Sequence, residues 1–320
     1  MEKFIKLTLL RAAPLVLLFF LAILNISLYE TTYAAKHDAF QSFEGQNVSL
    51  VFGNSHACYA VNSDSIGSSN IKVINMATPS QKLNEDLFIL KRLINEKHVR
   101  IKSIILSIDY HSLYAYQTEG IRLNFIQNEY GDLNDDFFKK CNHVLSLGPK
   151  VIISGLKKRV SLIKYLDAET GTNNSSVSST GFLPYIGAQK GWMNKMRYLH
   201  KIKNFNHEMS TETVESSLKI IDSICTICTE KNIQLYLFTA PTFVDYNEFL
   251  SKKQLAHTDS VINLICDKYT LSHYNYMEDT TFKAHHFYNC DHLNELGSIL
   301  MAKKITQDIF KPTSISADRF

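Results

Sequence analysis

Short apolar runs alternate with amphipathic segments along most of the chain. Apolar side chains recur at helical spacing in Lys82–Glu96, and the same periodicity predicts further helices over Thr211–Lys231, Thr258–Lys268 and Asn294–Phe310. The runs that are typical of buried strands are Asn47–Phe52, Ile71–Asn75, Ser103–Ile108, Ile233–Thr239 and Leu271–Met277. This alternation predicts an α/β fold in which helices flank a central parallel sheet.

The pattern loosens between Tyr114 and Met209, and we interpret residues 114–209 as an insertion. Two helices are predicted there, at Asp135–Leu147 and Pro149–Leu166, followed by a Ser/Asn/Gly-rich loop at Gly171–Gly181. Several aromatic residues come next: Phe182, Tyr185, Trp192 and Tyr198. One interpretation is a lid or substrate wall over the carboxyl edge of the sheet. The other is a solvent-facing elaboration whose aromatic side chains form a small separate core.

The N-terminus has a different character. Ala12–Tyr29 contains no charged side chain, and a run of about 20 apolar residues can span a bilayer. Lys3, Lys6 and Arg11 precede it, which places the N-terminus in the cytoplasm. We therefore predict a single-pass anchor. A cleavable signal peptide ending near Thr32–Ala35 is the alternative, and the basic flank argues against a buried core helix.

Residues 1–35 are thus predicted to form a cytoplasmic tip and transmembrane anchor, and residues 36–320 an extracytoplasmic domain. A short polar stalk, Lys36–Gln46, would join the two. A chain of 320 residues fits one large α/β domain with an insertion, and a net charge of +3 is too small to indicate nucleic-acid binding. We expect no nucleic-acid partner.

Six cysteines would permit disulfides in an exported domain. Cys225 and Cys228 form a Cys-x-x-Cys pair inside an amphipathic helical pattern, which indicates that both pack in the core. A redox or metal pair is the alternative, but neither a second Cys-x-x-Cys nor clustered histidines accompany it. No cofactor or metal site is predicted.

Two stretches carry the candidate chemistry. The apolar run that begins at Val48 ends in Gly53-Asn54-Ser55-His56, and Gly and Asn accept the backbone angles of a tight strand-to-helix turn. A serine in that turn stands at the carboxyl end of a strand, where open α/β sheets bind their ligands. Far downstream, Phe287–Gly297 contains Asp291-His292 followed by Leu293-Asn294. A loop before the last helix would bring His292 to the same edge of the sheet.

Together these stretches resemble the SGNH (GDSL-like) hydrolase superfamily, in particular its bacterial, membrane-anchored cell-envelope branch. In that family the nucleophilic serine lies in a Gly-Asp/Asn-Ser turn after the first strand. The histidine lies near the C-terminus in an Asp-x-x-His block, often continued as His-Leu-Asn-x-x-Gly. The resemblance runs from Asn47 to Ile309, and these two blocks carry it. It implies a flavodoxin-like three-layer sandwich, here preceded by one transmembrane helix.

The resemblance assigns Ser55 as the nucleophile and His292 as the base that takes its proton. The family's aspartate, three residues before the histidine, is replaced by Asn289, so the group that orients His292 is open between Asn289 and Asp291. The alternative for His292 itself is a cap on the last helix.

The resemblance also implies an oxyanion hole, and its three donors can be placed on this sequence. Ser55 would contribute its own N–H, and Ser80 stands where the family has glycine. Tyr110 lies where an asparagine is expected, so its hydroxyl is the candidate third donor. Asn54, His56 and Asp109 lie beside these residues and are candidates for substrate binding.

The implied function is an extracytoplasmic serine esterase or O-acyltransferase in the bacterial cytoplasmic membrane. It would act on acyl groups, acetyl first among them, of cell-envelope or secreted polysaccharide. Its partners would be an acylated carbohydrate or other ester, and the membrane through the N-terminal helix. The alternative is a catalytically degenerate SGNH-fold protein that binds glycan or scaffolds polysaccharide export. A third possibility, a purely structural tethered protein, would have no pocket at Ser55.

Overall fold

The computed structural model describes residues 32–67, 71–117, 177–203 and 211–310, with residues 126 and 130 and a few positions before residue 18. The chain divides into two compact units. One comprises residues 1–34 and 119–170, and the other residues 35–118 and 171–320. The sheet and nearly all of the described helices belong to the second unit.

A five-stranded parallel sheet forms the centre of this unit. Its strands are β1 (Asn47–Phe52), β2 (Lys72–Asn75), β3 (Arg100–Ser107), β4 (Gln234–Thr239) and β5 (Ser272–Asn275). The strand order is β2-β1-β3-β4-β5, the order of flavodoxin-like sheets. The first strand is therefore central, and five of its six residues are buried, as expected for a strand covered on both faces.

Helices flank the sheet. They are α1 (Thr32–Gln41), α2 (Ser55–Ala60), α3 (Leu83–Ile94), α4 (Lys195–Ile202), α5 (Thr211–Glu230), α6 (Val244–Asn247), α7 (Lys252–Tyr269) and α8 (Glu295–Ile305). A short antiparallel pair, β6 (Phe287–Asn289) and β7 (His292–Leu293), precedes α8, and a π-helical turn, Thr306–Phe310, follows it. Helix α3 packs on α5, whereas α2 packs on α8 and β7. Since crossovers between parallel strands are normally right-handed, the strand order predicts that these two groups of helices cover opposite faces of the sheet.

The predicted α/β organisation with a parallel sheet is confirmed, and each predicted strand lies within three residues of an observed one. Helix α7 begins at Lys252, six residues before the predicted start at Thr258, because Ser251 caps it by accepting a hydrogen bond from Gln254 N. Cys225 and Cys228 are both buried in α5, as predicted, and neither forms a disulfide. The helices predicted at Asp135–Leu147 and Pro149–Leu166 lie outside the described residues.

The prediction of a polar stalk over Lys36–Gln46 is wrong. Residues up to Gln41 belong to α1, and Lys36 is fully buried, with its Nζ donating to the carbonyls of Asn75, at 2.7 Å, and Gly181. Most of Ala12–Tyr29 lies outside the described residues. Within the described part of the chain, no helix has both the length and the apolar character needed to cross a bilayer.

Candidate active site

The turn after β1 requires the residues found in it. Gly53 has φ +133, and a Cβ there would lie 2.6 Å from Cβ of Ser107 at the end of β3. The Gly53 N–H donates to Oδ1 of Asp86 at 3.1 Å. Asn54 then caps α2, because its Oδ1 accepts the N–H of His56 at 2.8 Å. Ser55 is consequently the first residue of α2, at the carboxyl edge of the sheet.

A second asparagine fixes the other end of α2. Asn75, the last residue of β2, is fully buried. Its Nδ2 lies within hydrogen-bonding distance of the carbonyl oxygens of Ala57 (3.1 Å), Cys58 (3.3 Å) and Val61 (2.8 Å). The helix that presents Ser55 is therefore held directly by the neighbouring strand.

The hairpin of β6 and β7 presents His292. Asn289 Oδ1 accepts the backbone N–H groups of Asp291 (3.2 Å) and His292 (3.0 Å), so this side chain shapes the turn. Helix α8 is capped by Asn294, whose Oδ1 accepts from Leu296 N and Gly297 N. The alternative role for His292, a helix cap, is thus filled by Asn294.

The structure brings Ser55 and His292 together. Oγ of Ser55 lies 2.8 Å from Nε2 of His292, a hydrogen bond across 237 residues of sequence. Burial lowers the pKa of His292 well below its usual value, although the Asp291 carboxylate acts in the opposite direction. The imidazole is therefore neutral at neutral pH, the state that can accept a proton from the serine.

Asp291, rather than Asn289, faces the far side of this imidazole. Oδ1 of Asp291 lies 3.2 Å from Nδ1 of His292. Within the described residues Nδ1 makes no hydrogen bond, so the contact is an electrostatic one in which the N–H is not aligned. The side chain of Asn289 is engaged by the backbone of its own turn and is not the orienting group.

A buried cluster of charges surrounds Asp291. The ammonium group of Lys201 pairs with Oδ1 of Asp291, and Nε2 of His56 lies 3.7 Å from Oδ2. On its other side, Nδ1 of His56 lies 3.5 Å from Oδ1 of Asp109. Burial opposes ionisation of His56, but the carboxylates of Asp109 and Asp291 outweigh it and raise the pKa of His56 to about 9.

A cavity of about 430 Å³ opens beside Ser55. Asn54, Ser55, Ser80, Asp86 and His111 contribute to its lining, which is built mainly from the segments that follow β1 and β3 and from the approach to α3 and its first turns. Burial raises the pKa of Asp86 to about 8, so its carboxyl group is protonated at neutral pH. Burial and the nearby His56 charge lower the pKa of His111 to about 3, so this imidazole is neutral.

The cavity separates the predicted site residues into two groups. Asn54 and Ser80 line it with Ser55, whereas His56, Asp109 and Tyr110 line a different, smaller space beside Tyr246. The assignments of His56 and Asp109 to substrate binding and of Tyr110 to the oxyanion hole are therefore not supported by their positions. Tyr110 belongs to the buried hydrophobic cluster that also contains Trp192 and Phe287.

Ser80 occupies a backbone conformation that suits the glycine expected at this position. Its φ is +61, in the left-handed region that glycine adopts most readily. The turn thus tolerates a side chain, and the residue remains in the wall of the Ser55 cavity.

Tyr185, Trp192 and Tyr198, from the described part of the predicted insertion, pack with a hydrophobic cluster that also contains residues of the sheet. Trp192 and Tyr198 belong to the buried cluster that contains Phe287, and the Tyr185 ring stacks on Tyr288 with centroids 4.1 Å apart. The Tyr185 ring also lies 5.7 Å from that of His292. Residues 177–203 therefore supply part of the wall around His292.

The described residues that could hold a metal ion are His56, Asp291 and His292, which each offer a donor atom within 4.8 Å of the others. Asp291 is already paired with Lys201, and His292 already contacts Ser55 through Nε2. A metal cation would have to compete with the Lys201 ammonium for the carboxylate, so we assign no metal to this cluster.

Three residues of the site were not identified from the sequence. Asn75 ends an apolar strand, and a polar amide side chain at the end of such a run was the available sign of a structural role. Asp86 lies in the first turn of α3, where acidic residues are common because they interact favourably with the helix dipole. Lys201 lies in a basic stretch of the predicted insertion, and nothing in its neighbours indicates its contact with Asp291.

No protein-family model matches the chain, and no curated protein matches it.

Proposed function

We propose that the protein is an extracytoplasmic serine esterase or O-acyltransferase of the SGNH (GDSL-like) type. It acts on acyl groups, acetyl first among them, of cell-envelope or secreted polysaccharide. The observation that carries the proposal is the 2.8 Å contact between Ser55 Oγ and His292 Nε2, with Ser55 in the wall of a cavity at the carboxyl edge of the sheet.

The proposed reaction uses a covalent intermediate. Nε2 of His292 takes the hydroxyl proton as Oγ of Ser55 forms a bond to the ester carbonyl carbon. When the tetrahedral intermediate collapses, the bond to the leaving alcohol breaks and His292 returns the proton to that oxygen. In the second half, His292 takes a proton from water in an esterase, or from a sugar hydroxyl in a transferase, as that oxygen bonds to the acyl carbon. The bond to Oγ of Ser55 then breaks, and His292 returns the proton to Oγ.

Negative charge on the attacked carbonyl oxygen needs donors inside the cavity. The N–H of Ser55 is in the first turn of α2, where amides have no partner within the helix. The resemblance adds the N–H of Ser80. The amide group of Asn54 also lines the cavity, and its Nδ2 lies 3.3 Å from Nε2 of His111. These groups replace Tyr110 in the proposal.

The membrane-anchored, flavodoxin-like three-layer architecture is part of the same proposal. The uncharged run Ala12–Tyr29 and the preceding Lys3, Lys6 and Arg11 support an anchor with the N-terminus in the cytoplasm. Protease added to spheroplasts tests it. We expect the protease to digest the domain and to leave a protected N-terminal fragment. Full protection of the protein in intact spheroplasts contradicts the predicted topology.

Labelling with a fluorophosphonate tests the enzyme directly. The full-length protein should be labelled on Ser55, as identified by mass spectrometry of the modified peptide, and both Ser55→Ala and His292→Ala should lose the label. Ser80→Ala is the matched control, because Ser80 lines the same cavity but the proposal uses only its backbone N–H. Labelling that survives in Ser55→Ala contradicts the proposed nucleophile.

Three departures from the expected site favour a second function. Within the described residues Nδ1 of His292 makes no hydrogen bond, and Asn289 and Ser80 replace residues expected in the family. A catalytically degenerate protein that binds glycan or scaffolds polysaccharide export would show these departures too. It would bind acylated glycan without fluorophosphonate labelling, whereas a purely structural tether would do neither, despite the cavity beside Ser55.

A further inference from the structure

We propose that His56 and Asp109 form a positioning pair that holds the carboxylate of Asp291 beside His292. The pair acts through Asp291 and does not touch substrate, because neither side chain lines the cavity beside Ser55. This inference rests on the proposed function, since it assigns a role relative to the Ser55–His292 couple.

The geometry forms a continuous series of contacts. Nδ1 of His56 faces Oδ1 of Asp109 at 3.5 Å, and Nε2 faces Oδ2 of Asp291 at 3.7 Å. Both distances are longer than a hydrogen bond, so the attraction is mainly electrostatic and is strengthened by burial. The series continues from Asp291 to His292 at 3.2 Å and from His292 to Ser55 at 2.8 Å.

Charge balance indicates a cationic His56. Asp109 and Asp291 are 2% and 1% exposed, and a buried carboxylate is costly unless a positive charge accompanies it. Lys201 supplies one such charge, to Asp291. His56 is 6% exposed and lies between the two carboxylates, where it can supply the second.

Among the described residues, two neighbouring imidazoles also face His56, and Tyr110 and Tyr246 line the same small space. The rings of His111 and His292 lie 5.3 Å and 5.2 Å from that of His56, centroid to centroid. Burial lowers the pKa of both, so they are neutral at neutral pH. The cluster then has two negative and two positive charges, and His292 remains available as a base.

The two oxygens of Asp291 explain why His56 matters for orientation. Lys201 and His292 both approach Oδ1, whereas His56 faces Oδ2. With Lys201 alone, the carboxylate could rotate about its Cβ–Cγ bond toward the ammonium. A cation facing Oδ2 keeps Oδ1 toward Nδ1 of His292, which favours the tautomer with a proton on Nδ1 and a free electron pair on Nε2.

Asp109 is itself fixed by the end of β3. Its Oδ2 accepts from Oγ of Ser107 at 3.1 Å, and its backbone N–H donates to Oγ of Ser112 at 2.9 Å. Oδ1 is left facing His56. The positioning pair therefore ties the imidazole network to the strand that ends beside the cavity.

The test separates binding of a fluorophosphonate from its reaction with Ser55. For the full-length protein carrying His56→Gln, we expect the maximal labelling rate to fall about 10- to 100-fold, with the half-saturating probe concentration within about twofold of wild type. Asp109→Asn should behave alike. The double variant should be no worse than the more affected single variant, because the two residues act as one unit.

The double variant also answers the question of folding. His56→Gln leaves two buried carboxylates with one cation, whereas the double variant removes one charge of each sign and should be the better folded. His257→Gln is the matched control, since this half-buried histidine binds the hydroxyl of Tyr114 outside the cluster. Unchanged labelling in folded His56→Gln, or additive losses in the double variant, would overturn the proposal. So would activity that chelation removes and Zn²⁺ restores.

A spectroscopic test does not depend on the reaction with fluorophosphonate. Nitrogen-15 chemical shifts of the His56 ring, assigned by their loss in His56→Gln, should show both nitrogens protonated at neutral pH in wild type. A neutral His56 overturns the positioning pair even if Ser55 is labelled. A cationic His56 in a folded protein without labelling supports the charge arrangement while the proposed function fails.

Discussion

Replacement of Asp291 by Asn is the sharpest test of how His292 is oriented. The change removes one negative charge while preserving size, at a side chain that is 1% exposed. It leaves the Lys201 ammonium and the His56 imidazolium without their shared carboxylate. We therefore expect a slower reaction at Ser55 and a lower free energy of unfolding, by about 3 to 5 kcal/mol, because a buried ion pair is broken.

The size of the kinetic effect follows from one distance. An imidazolium at His292 and a carboxylate at Asp291, 3.2 Å apart, attract each other by about 5 kcal/mol at an effective dielectric constant of about 20. Lys201 and His56 repel the same imidazolium, and the amide of Asn keeps a dipole, so only part of this energy is lost. A loss of about 2 to 4 kcal/mol in the transition state corresponds to labelling about 30- to 1000-fold slower.

The assay is the rate of fluorophosphonate labelling, measured on protein shown to be folded by circular dichroism. Asp245→Asn is the control, since this exposed aspartate of α6 is outside the cluster. Asn289→Ala should cost stability through two lost backbone contacts but slow labelling by less than about tenfold. A wild-type rate in folded Asp291→Asn, or a larger loss in Asn289→Ala, would refute the assignment of Asp291.

Three further predictions concern the frame of the site. Gly53→Ala should lower the free energy of unfolding, measured by denaturant titration, by about 2 to 5 kcal/mol, because the new Cβ would lie 2.6 Å from Cβ of Ser107 and φ is +133. Gly45→Ala is the control: a Cβ there has no neighbour within 4 Å, so the loss should be only about 1 kcal/mol. Asn75→Asp should remove the amide donors that hold α2, lowering stability by about 2 to 4 kcal/mol and slowing labelling; unchanged melting contradicts this. Burial lowers the pKa of Lys36 from 10.5 to about 8, so the folded protein loses this proton at a lower pH than the unfolded chain does. Between pH 8 and pH 10.5 the free energy of unfolding of wild type, relative to that of Lys36→Met, should therefore rise by about 3 kcal/mol. A difference between the two proteins that does not change with pH refutes this prediction.

The sequence was sufficient for features that local patterns determine. Strand β1 is a short apolar run that stops at Gly53-Asn54, and the residues of that turn also determine where α2 begins. The strand-to-helix alternation predicts the parallel sheet for the same reason, since each strand and each helix has its own periodicity. Local patterns placed Ser55 and His292 at the same edge of the sheet, but their pairing as nucleophile and base came from the resemblance of both blocks to the SGNH family.

Features that depend on distant side chains could not be predicted in this way. Lys36 reads as part of a polar stalk, yet its ammonium group is buried by carbonyls at residues 75 and 181. His56 follows the serine directly, and only the fold shows that it faces Asp109 and Asp291 and not the cavity. Helix α4 is missed because it has only eight residues, of which Tyr198 and Ile202 are buried, inside a segment interpreted as an insertion.

The choice between Asn289 and Asp291 shows most clearly why the remainder needed the structure. A carboxylate three residues before a histidine can approach the imidazole from within one turn, whereas an adjacent carboxylate needs partners that hold it in place. Those partners are Lys201, from a segment interpreted as an insertion, and His56, from the helix of the serine. Because Asp291 is buried, its carboxylate needs a nearby positive charge, and the contact with Lys201 makes residues 177–203 part of the candidate active site.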